Sequence, residues 1–174
     1  TPEPSKTLTV TVEDYEDKSD SQTATITLTP VNDAPVATNV NGSGNEAGTI
    51  TTTLRANDVD NSDPSTFTFS ILTQPANIVS GTTIAIIGSV SYSSGTFTQD
   101  ATYTHNDTQT TSDNFTYKAN DGTVDSNTAT ATITITPVND APEIESDYST
   151  TTITDAAEGG VISTTIYAKD IDNS

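Results

Sequence analysis

The segment Thr-Pro-Val-Asn-Asp-Ala-Pro stands twice in this chain, at Thr29–Pro35 and at Thr136–Pro142. Each copy closes a stretch in which Thr alternates with apolar residues. With the copies aligned at their offset of 107 residues, Thr23–Pro35 lies over Thr130–Pro142 without a gap. At the same offset Asp14 falls on Asp121, Val10 on Tyr117 and Leu8 on Phe115. A second match, offset by 112 residues, lays Leu54–Ser62 over Ile166–Ser174, and Glu46 precedes the first as Glu158 precedes the second. The expected layout is therefore the tail of one repeat (1–33), a whole repeat (34–140) and the head of a third (141–174), with about five extra residues near the start of the third. A period of this length is too long for a solenoid coil and suits separate units in tandem. The chain reads as a window cut from something longer.

Each unit reads as all-β. Ala129, Ala131, Ile133 and Ile135 alternate with Thr, the period of two expected of a half-buried strand. The same alternation sets Phe67, Phe69 and Ile71 on one face, Phe115, Tyr117 and Ala119 on another, and Ile50, Thr52, Leu54 and Ala56 on a third. Thr82–Tyr103 is expected to hold further short strands, with turns at Gly88 and Gly95. No stretch carries a helical period. About seven strands in a unit of this size is the pattern of an immunoglobulin-like Greek-key β-sandwich. Composition agrees. Hydrophobic residues are only 31% of the chain, and Thr plus Ser are close to a third. So thin an apolar supply suits two sheets face to face better than packed helices.

Charge narrows the partners. Asp plus Glu number 24 against 5 Lys plus Arg, a formal charge of -19. Phosphate backbones need the opposite sign, so nucleic acid is excluded as a partner. There is no apolar run long enough for membrane insertion and no signal peptide. With no Cys and one His, the chain offers no disulfide, poor support for a zinc site and no nucleophile–base set, so it is read as not an enzyme.

Strands that alternate in direction sort the acids to two ends. Asp58 and Asp60 follow the second strand and Asp121 follows the sixth, all at the top of the unit. Glu46 precedes the second strand, Asp107 precedes the sixth, and Asn139 and Asp140 leave the last, all at the bottom. Units in series then bring two sets together. The bottom of the second repeat offers Glu46, Asp107, Asn139 and Asp140, and the top of the third offers Asp170 and Asp172. The joint before it would use Asn32, Asp33, Asp58, Asp60 and Asp121. Carboxylates so crowded cannot all stay ionised without a counter-ion. Ca²⁺ suits them, because it takes six to eight oxygens in loose geometry.

The order "PVNDAP", "NEAGT", "ANDVD" and "YKANDG" resembles the cadherin-like repeats of very large bacterial surface adhesins of the RTX type. In that resemblance Glu46 takes the place of the first-strand Glu, Asp58 and Asp60 the Asp-x-Asp pair, Asp121 the Asp before Gly, and Asn139–Asp140 the linker motif. Asp107 stands near the Asp-Arg-Glu position, a motif that "HNDT" lacks. The resemblance implies extracellular, cell-surface extender modules, stiffened by Ca²⁺ at their joints, whose partners are the neighbouring repeats of the same chain. It also leaves open a module that binds polysaccharide or another cell-surface ligand. The broken repeats at the two ends leave open a filament subunit completed by strand exchange.

Simpler readings stand beside these. "VNDAP" is rich in turn residues. Asp58–Asp63 begins like an EF-hand loop, but Asp63 replaces the Gly and Phe69 the bidentate Glu, so that reading is rejected. Asp121–Gly122 is a hairpin signal. The upstream repeat keeps the acid, as Asp14, but has Tyr15 for the Gly, which favours a role for the side chain. The sequons at Asn41, Asn106 and Asn114 are what a Thr-rich chain produces by chance. His105 is expected to be exposed in a polar loop.

Overall fold

The computed structural model describes residues 5–144 and 167–172. Glu158 and most of the expected third unit lie outside the described residues. Twelve strands and no helix occur among the described residues.

Two four-stranded sheets stack in the segment 34–140. One is built from β3 (Val36–Ala37), β5 (Thr49–Asn57), β8 (Thr96–Thr104) and β7 (Ala85–Ser93), in that order. The other runs β4 (Val40–Asn45), β10 (Ala129–Thr136), β9 (Ser112–Asn120) and β6 (Thr68–Thr73). The expected alternation is what fills the space between them. Ile50, Thr52, Leu54 and Ala56 are buried, as are Phe115, Tyr117 and Ala119, and Ala129, Ala131, Ile133 and Ile135. Phe67 stacks on Phe97 at 3.8 Å between centroids and 2° between planes, at the middle of the core.

The first strand of the sandwich is split, giving eight strands in the place of about seven. β3 pairs antiparallel with β5, and β4 then pairs parallel with β10 in the opposite sheet. Asn127 pins the crossing. Its Oδ1 accepts from Ala37 N and its Nδ2 donates to Ala37 O, both at 3.0 Å. The Tyr117 hydroxyl donates to Thr38 O and accepts from Arg55 N. Past the crossing, β4 runs close against β5. A Cβ at Gly42 would lie 2.1 Å from Thr52 Oγ1, and one at Gly44 would lie 2.6 Å from Ile50 Cγ1. The glycines let this edge of the sandwich close.

Two expectations for the middle of the chain change. Gly95 does lie in a tight hairpin, with Ser94 at φ 50° and Gly95 at φ 84° between the paired Ser93 and Thr96. Gly88 makes no turn. It lies inside β7, at φ 71°, where the register with β8 shifts between Ile87 and Ser91. A glycine at positive φ within a strand produces a bulge as readily as a reversal. His105 is not exposed either. It follows β8 at 1% exposure, its backbone N–H bonds to Gly48 O, and its Nε2 lies 3.1 Å from Thr110 Oγ1. The polar residues around it mislead, because His105 continues the inward set of Ala101 and Tyr103 by one more step of two.

On either side of the sandwich its own pairings recur. Upstream, β1 (Ser5–Glu13) and β2 (Ser19–Thr27) form a hairpin with Leu8 opposite Ala24 and Val10 opposite Gln22. At 107 residues further on, Phe115 faces Ala131 and Tyr117 faces Ala129. Downstream, β11 (Glu143–Ile144) pairs with β12 (Ala168–Lys169). Its pairs Glu143–Lys169 and Ile144–Ala168 take the places of Val36–Asn57 and Ala37–Ala56.

Candidate metal centre

The sandwich delivers acids to both of its ends. At the upper end, β5 stops at Asn57 and the chain turns on Asp58, whose Oδ1 accepts from the N–H groups of Asp60 and Asn61 at 3.0 and 2.9 Å. The arriving linker meets this turn. Asp33 N donates to Asp60 Oδ2 at 3.1 Å, and Asn32 Nδ2 donates to Asp121 Oδ2 at 2.8 Å and to Asp33 O. Asn61 Nδ2 reaches Asp121 O at 3.2 Å. Asn32, Asp33, Asp58, Asp60 and Asp121 are therefore brought together. Asn61, which the sequence reading passed over, ties the two acidic turns; its place beside Asp60 was the signal.

At the lower end, Glu46 sits in the turn between β4 and β5, 3% exposed. Its backbone N–H bonds to Thr136 O at 3.1 Å, and its Oε1 accepts from Val138 N. The linker leaves past it as Asn139–Asp140. Asp140 N donates to Asp172 Oδ2, and Asp172 N donates to Asp170 Oδ1 at 3.0 Å, as Asp33 and Asp60 do above. One carboxylate oxygen each from Glu46, Asp140 and Asp172 lies within 4.8 Å of the other two. Asp107, held at φ 63° between β8 and β9, lines a cleft of about 410 Å³ with Asp140, Ala141, Glu143, Lys169 and Ile171. Among the described residues Asn139 donates only to the linker, Nδ2 to Asp140 O at 2.8 Å.

Electrostatics marks both ends. Loss of water raises the Asp140 carboxyl, and the nearby charges of Asp107, Asp172, Glu46 and Asp170 raise it further. Burial likewise raises Asp58, helped by Asp60, against the backbone N–H groups that lower it. Asp121 goes the other way. Burial pushes it up, but the hydrogen bonds from Asn32, Val124 and Thr123 outweigh that and hold it below the ordinary range.

The donor set fits a hard cation. Glu46 Oε2, Asp140 Oδ2, Asp58 Oδ2 and Asp60 Oδ1 are buried without a hydrogen-bond partner, two at each end. A buried carboxylate oxygen with nothing to accept from is costly unless a cation meets it. All the donors are oxygens, the set Ca²⁺ takes and zinc disfavours.

Asp14 qualifies the argument from the turn. Its Oδ1 accepts from Glu16 N and Lys18 N at 2.9 and 3.0 Å, as Asp121 Oδ1 accepts from Thr123 N and Val124 N. The acid caps its own turn in both copies, which explains its retention without Gly. Only Asp121 also has linker contacts on its second oxygen.

A two-sheet sandwich with a split first strand and acidic turns at both ends defines an immunoglobulin-like module. The chain belongs to the bacterial cadherin-like domain family, whose sequence profile matches residues 32–137. Membership points to an adhesion or extender module, in a family that is typically non-enzymatic and typically binds Ca²⁺. Comparison with curated proteins returns no match. No helix among the described residues is long and apolar enough to cross a membrane.

Proposed function

We propose that the chain is a calcium-stiffened extender of an extracellular bacterial adhesin, holding a distal binding domain away from the cell. The observation that carries this reading is the meeting of Glu46, Asp140 and Asp172, which come from the sandwich, the linker and the segment after it. Bound there, Ca²⁺ supplies positive charge and takes up oxygens that have no other partner. The residues explain why the joint responds. Glu46 accepts from the linker backbone at Val138 and Asp172 accepts from it at Asp140, so side chains that repel each other also set the angle at which the linker leaves. Without a counter-ion their repulsion loosens that grip. With one, the joint locks. Extracellular modules bind Ca²⁺ at about 10⁻⁴–10⁻³ M, a range that external fluids reach and cytosol does not. Neighbouring repeats are then the first partners of each unit. The recurrence of the β9–β10 register in β1–β2 and of the β3–β5 pairs in β11–β12 supports the tandem layout 1–33, 34–140 and 141–174.

Small-angle X-ray scattering of the chain with Ca²⁺ and with EDTA tests the reading. The maximum dimension and stiffness should rise with Ca²⁺, and an unchanged profile would rule it out.

A second reading, a module that holds polysaccharide, has one feature in its favour. A polar trough between β4 and β5 is lined by Asn39, Asn41, Ser43, Thr51, Thr53 and Arg55. It offers hydrogen bonds but no aromatic ring for a sugar to stack on. Binding on a glycan array by the chain would favour this reading.

A further inference from the structure

The two ends match at the linker and the Asp-x-Asp turn and differ in both members of the strand pair beside them. In the pair between β3 and β5, Val36 faces Asn57. In the corresponding pair between β11 and β12, Glu143 faces Lys169. A chain with 24 acids and 5 basic residues has thus placed one of its few cations where its own second copy of the motif has a neutral amide. The placement is not remote from the acids. Lys169 lines the same cleft as Asp107 and Asp140 and is the residue before Asp170.

We propose that Lys169 is a built-in competitor of the divalent cation at the lower end, so that this joint takes up Ca²⁺ more weakly than a joint with Asn at the same position. The inference rests on the calcium reading above and adds what sets the affinity of this joint. The independent sign that this end takes a cation is Glu46, 3% exposed, with Oε2 unpartnered beside Asp140 and Asp172. A dication arriving among those oxygens is held by Asp140, which lines the cleft together with Lys169, and the ammonium repels it. A like charge lining the same half-wet cleft weakens the binding of a dication by about tenfold. In the absence of Ca²⁺ the same ammonium offsets part of the repulsion among Asp107, Asp140 and Asp172, so the joint is both less dependent on the ion and harder to saturate. Tandem joints that differ in this residue then stiffen at different ion concentrations, and the array stiffens in stages.

Calorimetric titration of the whole chain with CaCl₂ tests this. The lower site is the one weakened in Glu46→Gln. Lys169→Asn, which restores the upper sequence, should tighten that site by about tenfold, and the gain should shrink at 0.5 M NaCl because salt screens it. Lys169→Arg should keep wild-type affinity. Lys18→Asn removes the same unit of charge from the exposed upstream hairpin and should leave the site unmoved. Equal or weaker binding by Lys169→Asn would overturn the inference alone and make Lys169 no more than the cross-strand partner of Glu143. An equal gain from Lys18→Asn would also overturn it, in favour of overall charge. No bound Ca²⁺ in any variant would overturn the calcium reading and this inference together.

Discussion

At the upper end of the sandwich, Asn32 and Asp33 meet Asp58, Asp60 and Asp121; at the lower end, Asp140 meets Glu46, Asp107 and Asp172, with Asn139 beside it in the linker. The linker residues and the Asp-x-Asp turn are common to both. Glu46 and Asp107 belong only to the lower end, and Asp121 only to the upper. Neither end is a poorer copy of the other. In the tandem layout proposed above, each shows one side of the same joint, because Glu46 and Asp107 come from the sandwich above a joint and Asp121 from the sandwich below. Overlaid, they give a set of seven positions gathered from two sandwiches and the linker between them. The comparison explains the exposures too. Val31 and Val59 are 78% and 76% exposed at the upper joint, while their counterparts Val138 and Ile171, which have the sandwich above them, are 43% and 47%.

The comparison assumes that the body between the ends is one cooperative unit, and the largest expected effect tests that. Phe97 is fully buried and stacked on Phe67. Phe97→Ala should cost about 3–5 kcal/mol. Thermal melts with and without Ca²⁺ should then drop together, because a core lesion touches both ends equally. A loss seen only in the chelated protein would mean that the ends fold apart from the core.

Next in size is Glu46→Gln. It keeps the shape of the turn and the bond to Val138 but removes the charge that only the lower end has. Ca²⁺ affinity there should fall by about ten- to a hundredfold, since ligand charge sets affinity in such sites. The rise in melting temperature with Ca²⁺ should shrink accordingly, by mass action. The upper end should titrate as before. Equal losses at both ends would break the division of ligands drawn above.

How much of this was legible in the sequence depends on the range of the interaction. The hairpin β1–β2 and the hairpin β9–β10 carry the same alternation and the same register, yet every residue of the first is exposed and half of the second is core. Period-two patterning is local, so both were readable as strands; burial depends on what lies across, so it was not. The end to which each acid goes was readable for a similar reason, because strand direction alone decides it. His105 failed because loop polarity was weighed above the inward parity it shares with Tyr103. Gly88 failed because a bulge and a turn ask the same of a glycine. The bonds of Asn61 and Asn127 were beyond reach, since they join residues at least 60 positions apart.

Acid should separate the ends in a milder way. Take the protein in EDTA. Asp140 and Asp58 have folded values raised above 3.8, by loss of water first and by neighbouring carboxylates after it. Such a group binds its proton more readily when folded. Its contribution is fully present below the unfolded value and is lost as pH rises through the folded one. Asp121 is lowered, so its contribution is present above the unfolded value and is lost as pH falls through the folded one. The upper end thus carries opposed shifts, from Asp58 and Asp121, and the lower end carries the single raised shift of Asp140. Melting temperature followed from pH 7 down to 4.5 should therefore lose part of its acid gain in Asp140→Asn and in Asp58→Asn, each against the wild type. With saturating Ca²⁺ the difference should vanish, because protons and the cation compete for the same oxygens. An acid gain left intact in Asp140→Asn would remove the raised carboxyl assigned to the lower end.

The smallest effect bears on the linker asparagines, which are identical in sequence and unequal in bonding. Asn32 Nδ2 donates to Asp121 Oδ2 at 2.8 Å as well as to the linker, and so ties the upstream chain to the sandwich. Asn139 Nδ2 donates to Asp140 O and makes no such tie among the described residues. Asn32→Ala removes one bond to a charged group and should cost about 1 kcal/mol, while Asn139→Ala should cost a few tenths. Asn32→Ala also withdraws one of the bonds that hold Asp121 low, so the Asp121 carboxyl should titrate at higher pH by NMR, a shift that Asn139→Ala cannot produce. If a chain extended downstream by one more unit raised the cost of Asn139→Ala to that of Asn32→Ala, the two ends would be shown to differ only in which half of the joint each displays.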